Sequence, residues 1–391
     1  MTTRIVFFVT EDWYFASHRL PLALEAQRRG WEVHVLTRLN TGSPPLAEMG
    51  FHVHNIHIAR SGLNPLEDLR TLRDILRIYR EVRPHIVHHV AMKPVLYGSL
   101  AARVMRPQPA VVNALAGLGF VFSSQSPKAR TLKPLVKALL RKSLSGSRSR
   151  TIVQNPDDAR TLTQIQGTGQ FIRLIRGSGV DTSQFIPKHS DAGTDTDTMN
   201  KPVVFGLSAR LNEDKGVSRF VEAAGIVRGI VEPAPRFVLI GQPDEHNPSA
   251  VPQEALDAWA QEGLVELWGH RTNMPETLQG IDVAVLPSTY GEGLPKALLE
   301  AGSCGLPIIT TDTPGCRETV VDGVTGFIVP PGDSEALATA VRRLAEDHAL
   351  RQTMGAASRR HVAANFAVER VVSDTFSVYA EVIPSRPHPG L

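Results

Sequence analysis

The chain has 391 residues, room for two domains at roughly 100–200 residues each, and its 42% hydrophobic and 21% charged content is that of a folded protein. Its two cysteines, Cys304 and Cys316, exclude a disulfide framework and a cysteine-rich metal site. The net charge of +3 conceals an asymmetry: residues 1–190 hold 26 Lys and Arg against 12 Asp and Glu, which leaves 16 against 27 for the remainder. A basic half beside an acidic half suggests that the first meets an anionic partner, whether a membrane surface, a phosphorylated lipid or nucleic acid.

The first half alternates strand and helix patterns. RIVFFVT (4–10) reads as a first strand and lacks the form of a signal peptide. EDWYFASHRLP (11–21) follows as a loop. SHRLPLALEAQRRG (17–30) reads as a helix closed by Gly30, and WEVHVLT (31–37) as the next strand. FHVHNIHI (51–58) alternates like a half-buried strand, and 66–84 forms an amphipathic helix stopped by Pro84. Strands at Ile86–Val90 and Ala110–Leu115 flank a helix around Leu96–Arg103. Such alternation predicts a parallel, doubly wound α/β sheet.

Residues 128–150 contain eight basic residues and no acid. Leu132, Leu135, Val136, Leu139 and Leu140 form an apolar stripe at helical spacing. The pattern suits a surface helix with its apolar face on the core, and also a basic helix that docks on anionic lipid; the two are compatible if the cations face outward. No run approaches the roughly 18 apolar residues of a membrane span.

TIVQNPDDARTL (151–162) reads as a strand and a helix beginning near Asn155. The polar stretch 188–201 has no apolar period and is the expected linker between domains 1–187 and 202–365. After it the alternation restarts, with strands at 202–208, 236–241, 265–270, 282–288, 307–312 and 325–331. Helices are expected at 215–230 and 296–305, with one long helix over 335–355. A final helix over about 366–383 is expected to cross back to the first domain.

The densest chemical signal is TYGEGLPKALLEAGSCGLPIITTDTPGCRE (289–318), directly after a strand, where open α/β sheets bind ligands. Gly291 and Gly293 allow close backbone approach. Pro295 suits a helix start, whose free N–H groups and positive dipole end suit a diphosphate. Glu300 lies about one and a half turns in, placed for two ribose hydroxyls, and Glu292 precedes the helix where a sugar would lie. Two glutamates with seven residues between them could equally be incidental on a solvated helix start; the strand–Gly–Glu–Gly–Pro–helix setting weighs against that. In GLSARLNEDKG (206–216), Arg210 and Lys215 lie between a strand and a helix. Alone they read as surface charge; beside the glutamate motif they become candidates to clamp a diphosphate.

EGLPKALLEA, with SARLNEDKG upstream and GSGVDTSQF (177–185) before the linker, resembles the family 4 retaining glycosyltransferases over about residues 4–383. The resemblance implies the GT-B fold, two Rossmann-like domains facing a cleft, with acceptor bound by the first and nucleotide-sugar by the second. It implies that Arg210 and Lys215 hold the donor diphosphate, that Glu292 contacts the donor sugar and that Glu300 contacts the ribose. Gly293, Leu294 and Pro295 would line the pocket, and Gly269, His270 and Arg271, within 269–273, would lie near the base. The family is generally metal-independent, in keeping with the lack of a DxD motif at a strand end; DTDT (195–198) lies in the linker. No metal and no cofactor besides the nucleotide-sugar co-substrate is expected.

Within the family, the wording of 292–318 is similar to enzymes that extend undecaprenyl-diphosphate-linked sugars in bacterial surface-glycan assembly, often from UDP-N-acetylhexosamine or UDP-galactose. The implied setting is cytoplasmic, peripherally attached to the inner face of the cytoplasmic membrane through the basic first domain. Two departures stand out. The loop 11–21 lacks the paired glycines of many members, so His18 and Arg19, with Lys93, are candidate ligands of an acceptor diphosphate. A histidine that many members carry near Ala116 is absent, which points to His88 or His89 as a replacement or to a contact not needed. On adjacent strand positions, one of these two faces inward and the other outward. A nucleotide-sugar 2-epimerase and a non-catalytic sugar-nucleotide scaffold are the rival readings. The basic half has no recognisable nucleic-acid module, and no nucleic-acid partner is expected.

Overall fold

The computed structural model describes residues 2–40, 42, 45–58, 64–118, 122, 127–188, 201–244 and 247–383. It divides into two compact units: Met1–Ser178 with Glu369–Leu391, and Gly179–Val368. The first division therefore falls at Ser178, before the expected 187, because residues 180–185 are tied to the second unit. There the Arg359 guanidinium donates to the carbonyls of Phe185 and Thr182, and Ser303 Oγ donates to Phe185 O, all at 2.7 Å. Most of the expected linker, 189–200, lies outside the described residues; Lys188 pairs with Asp282 at 3.1 Å.

In the first unit, strands β1 (Arg4–Glu11), β2 (Glu32–Arg38), β3 (His52–Asn55), β4 (Ile86–Val90), β5 (Ala110–Leu115), β6 (Ser149–Val153) and β7 (Ile172–Leu174) form one sheet. Its order is β3-β2-β1-β4-β5-β6-β7, with parallel pairing. Alternate β1 side chains feed opposite faces: Ile5, Phe7 and Val9 one core cluster, Val6 and Phe8 another. Helices cover both faces, which is why buried parallel strands read as near-continuous apolar runs.

The helix Val368–Val382 belongs to this unit. Phe376 and Tyr379 enter its core, with Trp31 and Phe376 rings 5.3 Å apart. Burying each such ring stabilises the unit by roughly 1.5–3 kcal/mol. Glu381 on the same helix bridges Arg150 and Arg173, both at 2.6 Å.

Several expectations are corrected here. Residues 11–21 are largely helical: Asp12–His18 is a helix and Leu20–Arg28 a second, divided at Arg19. The single helix expected over 335–355 is two, Ser334–Glu346 and His348–Asn365. Asp347 between them caps the second by accepting from the Leu350 N–H at 2.8 Å. His88 and His89 do face opposite sides of β4, but both are buried because both faces are covered. The basic segment is a helix, Pro127–Leu144, in which Leu140 and Leu144 are buried while Lys133 is half-buried and Lys137, Arg141 and Lys142 are exposed. Its stripe is only partly inward, since Leu135 is exposed; the Leu132 side chain is outside the described set. Among the described residues, no helix is long and apolar enough to cross a membrane.

In the second unit, β8 (Val204–Ser208), β9 (Arg236–Ile240), β10 (Glu266–Gly269), β11 (Val283–Leu286), β12 (Ile308–Thr311) and β13 (Gly326–Val329) form a parallel sheet ordered β10-β9-β8-β11-β12-β13. Strand order reverses between β8 and β11, as it does between β1 and β4 in the first unit. Such a switch point opens a crevice at the carboxyl ends of the strands.

Candidate active site

Two segments leave the switch of the second sheet. After β8 come Arg210 and a short 3-10 turn, Glu213–Lys215, followed by the helix Val217–Val227. After β11 comes the stretch 287–295, followed by the helix Lys296–Ser303. Gly216 holds them together: its φ is +76°, and a Cβ there would sit 2.0 Å from the Pro287 carbonyl oxygen. The Ser288 hydroxyl and the Thr289 N–H both donate to the Asp214 carbonyl, at 3.0 Å each. Gly315 does the same on the other side, where a Cβ would meet the Gly293 carbonyl at 2.1 Å, and the Glu292 N–H donates to Pro314 O at 2.8 Å.

This clamping brings Lys215 and Glu292, 77 positions apart in sequence, into a 2.5 Å ion pair with both side chains 12% exposed. Burial works against the Lys215 ammonium, but the Glu292 carboxylate and the neighbouring Tyr290 prevail and its pKa is raised. The lysine is a cation at any physiological pH. Burial raises the Tyr290 phenol, keeping it protonated. Arg210 is near enough to act against the Lys215 charge, yet its own bond is to Asp244, Nη1 to Oδ2 at 2.5 Å. Glu300 sits in the helix Lys296–Ser303 at 3.1 Å from Lys296, and burial raises its pKa against the lysine's opposing pull. Pro295 is the N-cap residue of that helix, and Leu294 is buried beside it.

Gly269 ends β10 with φ +68°, and its carbonyl accepts from the Gly241 N–H at 2.9 Å. His270 and Arg271 follow it and are exposed. The structure thus collects the expected donor-side residues on the carboxyl ends of β8, β10 and β11. It adds Asp244, Tyr290 and Lys296, which sequence reasoning passed over. Asp244 had a signal, since it lies just past the end of β9, on the same edge. Among the described residues, no group of three or more His, Cys, Asp or Glu is arranged to hold a metal.

Of the three acceptor-side candidates, His18 and Arg19 adjoin, and Lys93 has a partner of its own. His18 stacks on Tyr14 at 4.1 Å, and its Nδ1 lies 2.6 Å from Ser17 Oγ. Lys93 lies 3.7 Å from Asp68. Arg19 is buried, its Nη1 donating to the His18 carbonyl at 3.4 Å. His89 is bound by Asn113 Oδ1 at 2.8 Å and Tyr79 OH at 2.9 Å, and a Cβ on Gly98 would overlap its ring. That is a core role.

A model of the glycosyl transferases group 1 matches residues 202–347, and a model of glycosyl transferase 4-like domains matches residues 4–149. The chain is 27% identical over 339 residues to the N,N'-diacetylbacillosaminyl-diphospho-undecaprenol alpha-1,3-N-acetylgalactosaminyltransferase of Campylobacter jejuni, covering 85% of this chain and 87% of that one. It is 26% identical to the UDP-Gal:alpha-D-GlcNAc-diphosphoundecaprenol alpha-1,3-galactosyltransferase of Escherichia coli, covering 82% and 81%. Among solved structures, the sucrose-phosphate synthase of Thermosynechococcus elongatus superposes with a TM-score of 0.78 at 21% identity, covering 97% of this chain and 99% of that one. With two doubly wound parallel sheets and both halves matched, the chain belongs to the family 4 glycosyltransferases of the GT-B fold.

Proposed function

We propose that this glycosyltransferase moves a hexose or N-acetylhexosamine, with retention of configuration, from a UDP-sugar to a lipid-diphosphate-linked saccharide in bacterial surface-glycan assembly. The observation that carries the reading is the buried Lys215–Glu292 pair at the β8–β11 switch, beside the helix that begins at Lys296. The printed activities of the two relatives support the lipid-diphosphate acceptor, and one of them the UDP donor.

In this reading Arg210, Lys215 and the helix N-terminus take the diphosphate and stabilise the charge that grows as the sugar–oxygen bond breaks. Glu292 exchanges part of its bond to Lys215 for the donor sugar, and Glu300 accepts from the ribose hydroxyls. Gly293, Leu294 and Pro295 line the pocket, with Gly269, His270 and Arg271 toward the base. The acceptor hydroxyl attacks the anomeric carbon on the face the nucleoside diphosphate leaves, and its proton passes to the departing diphosphate oxygen. No metal takes part. The first unit receives the acceptor, with His18, Arg19 and Lys93 as candidate ligands. The exposed cations of the helix Pro127–Leu144 hold that unit to an anionic bilayer on the cytoplasmic side.

The test is nucleoside diphosphate release from a panel of UDP-, GDP- and dTDP-sugars, with and without undecaprenyl-diphosphate-linked saccharides, and analysis of the anomeric linkage formed. Release that requires the lipid-linked acceptor, with the donor's configuration kept, supports the proposal. Epimerised donor without acceptor, or donor binding with no turnover, overturns it in favour of an isomerase or a scaffold.

A further inference from the structure

Arg19 is an anomaly of charge placement. It is 6% exposed, and among the described residues no carboxylate pairs with it. The one hydrogen bond of its guanidinium is the 3.4 Å contact of Nη1 with the His18 carbonyl, and Nε has no partner. Buried cations are found almost only where paired, because an uncompensated one lowers stability.

The groups on which the Arg19 charge is seen to act, Tyr14, His88 and Tyr379, are neutral. Burial, then Arg19 and His89, push the His88 pKa well below its ordinary value. Burial holds the Tyr379 phenol protonated. His88 is 1% exposed; its Nδ1 lies 2.5 Å from the Tyr379 hydroxyl and its Nε2 has no partner. When the hydroxyl donates to Nδ1, the ring proton sits on Nε2. Two buried groups, Arg19 Nε and His88 Nε2, are then both donors without an acceptor.

Their place in the fold is also informative. Arg19 follows β1 and the helix Asp12–His18, and His88 is in β4, so the two flank the switch point of the first sheet. Beside it, Ala91 at the start of the helix Met92–Val104 has φ +75° and ψ 168°, a conformation nearly confined to glycine. Such strain gathers at ligand sites.

We propose that Arg19 and His88 form an oxyanion site in the first unit, occupied by a phosphoryl oxygen of the diphosphate that carries the acceptor sugar. The proposal deepens the functional reading above and rests on its diphosphate-linked acceptor. A guanidinium and an N–H are the donors that a phosphoryl oxygen accepts. Binding an anion there selects the Nε2–H tautomer and supplies the charge the fold leaves unmatched.

The test uses the full chain, with UDP saturating so that the donor site is filled, and compares wild type, Arg19→Met and Arg19→Lys. With UDP as the only phosphate-bearing solute, Arg19→Met should melt about 2 °C or more above wild type, because it removes an uncompensated charge. Inorganic pyrophosphate should raise the melting temperature of wild type, less that of Arg19→Lys, and leave Arg19→Met unmoved. The KM for a lipid-diphosphate-linked acceptor should rise roughly tenfold or more in Arg19→Met, with UDP affinity unchanged. A lower melting temperature for Arg19→Met before pyrophosphate is added, or equal protection of all three proteins by pyrophosphate, overturns the site. Lost protection with an unchanged acceptor KM assigns the site to free phosphate and overturns the acceptor assignment. Failure of wild type to bind UDP would instead count against the donor reading and leave the pyrophosphate comparison intact.

Discussion

At the β8–β11 switch of the second unit, the charges come in pairs: Lys215 with Glu292, Arg210 with Asp244, Lys296 with Glu300. At the β1–β4 switch of the first unit, the buried Arg19 has no counter-ion among the described residues. One strand order thus carries two electrostatic strategies. Paired charges keep a site stable while empty, and a ligand must displace a carboxylate to enter. An unpaired buried charge weakens the empty fold and makes the anion the partner that was missing.

The largest expected effect falls on the paired side. Lys215→Ala should lower kcat on the order of 10²-fold or more, by analogy with loss of one charge-stabilising donor. Nucleoside diphosphate release measures it, and near-normal turnover removes Lys215 from the chemistry. Next, Glu300→Ala should weaken UDP binding by roughly tenfold, the loss of hydrogen bonds to a charged group. Calorimetric titration decides, and unchanged affinity moves the ribose away from Glu300. A smaller gain is expected from Asp244→Asn, which frees Arg210 for the donor. Because Arg210 is 41% exposed on its side chain, solvent screens the pair, and UDP affinity should rise only about two- to fivefold. No gain there means Arg210 is reached without breaking the pair, and the contrast between the units narrows.

The smallest effect concerns stability in the first unit. His34 is buried 3.0 Å from both Glu32 and His54, and its pKa is lowered to about 4 by burial first, with His54 and His52 adding to it against Glu32. The unfolded chain takes up that proton nearer 6.5, so the unfolded state gains protons first as pH falls. The contribution is whole above about pH 6.5 and is lost as pH falls toward 4. Melting scans from pH 7.5 to 5 should show a steeper decline for wild type than for His34→Gln, by about 2 °C or more. Parallel declines would place the acid sensitivity elsewhere.

Much of the fold is legible in the sequence because buried parallel strands are apolar runs and helices have their own period. DVAVLPS and PIITTD could be read directly as β11 and β12. The helix break at Asp347 was hidden, since Asp is tolerated in a helix and becomes a cap only when the chain turns. The helix Asp12–His18 was hidden by aromatic and polar residues of weak helix preference. In the site, Lys215 and Glu292 were legible as types at strand ends, but not as a pair. Their meeting depends on Gly216 and Gly315, whose close approaches are tertiary facts. Arg19 could be named from sequence, whereas its lack of a counter-ion could not, because absence of a neighbour is a property of packing.

The helix Val368–Val382 has a consequence for the order in which the molecule is made. Residues 179–368 form the second unit as one contiguous piece, while the first unit draws Phe376 and Tyr379 into its core. On the ribosome, the strands synthesised earliest must therefore wait, with part of their apolar face uncovered, until the second unit has already emerged. The half that is begun first is finished last.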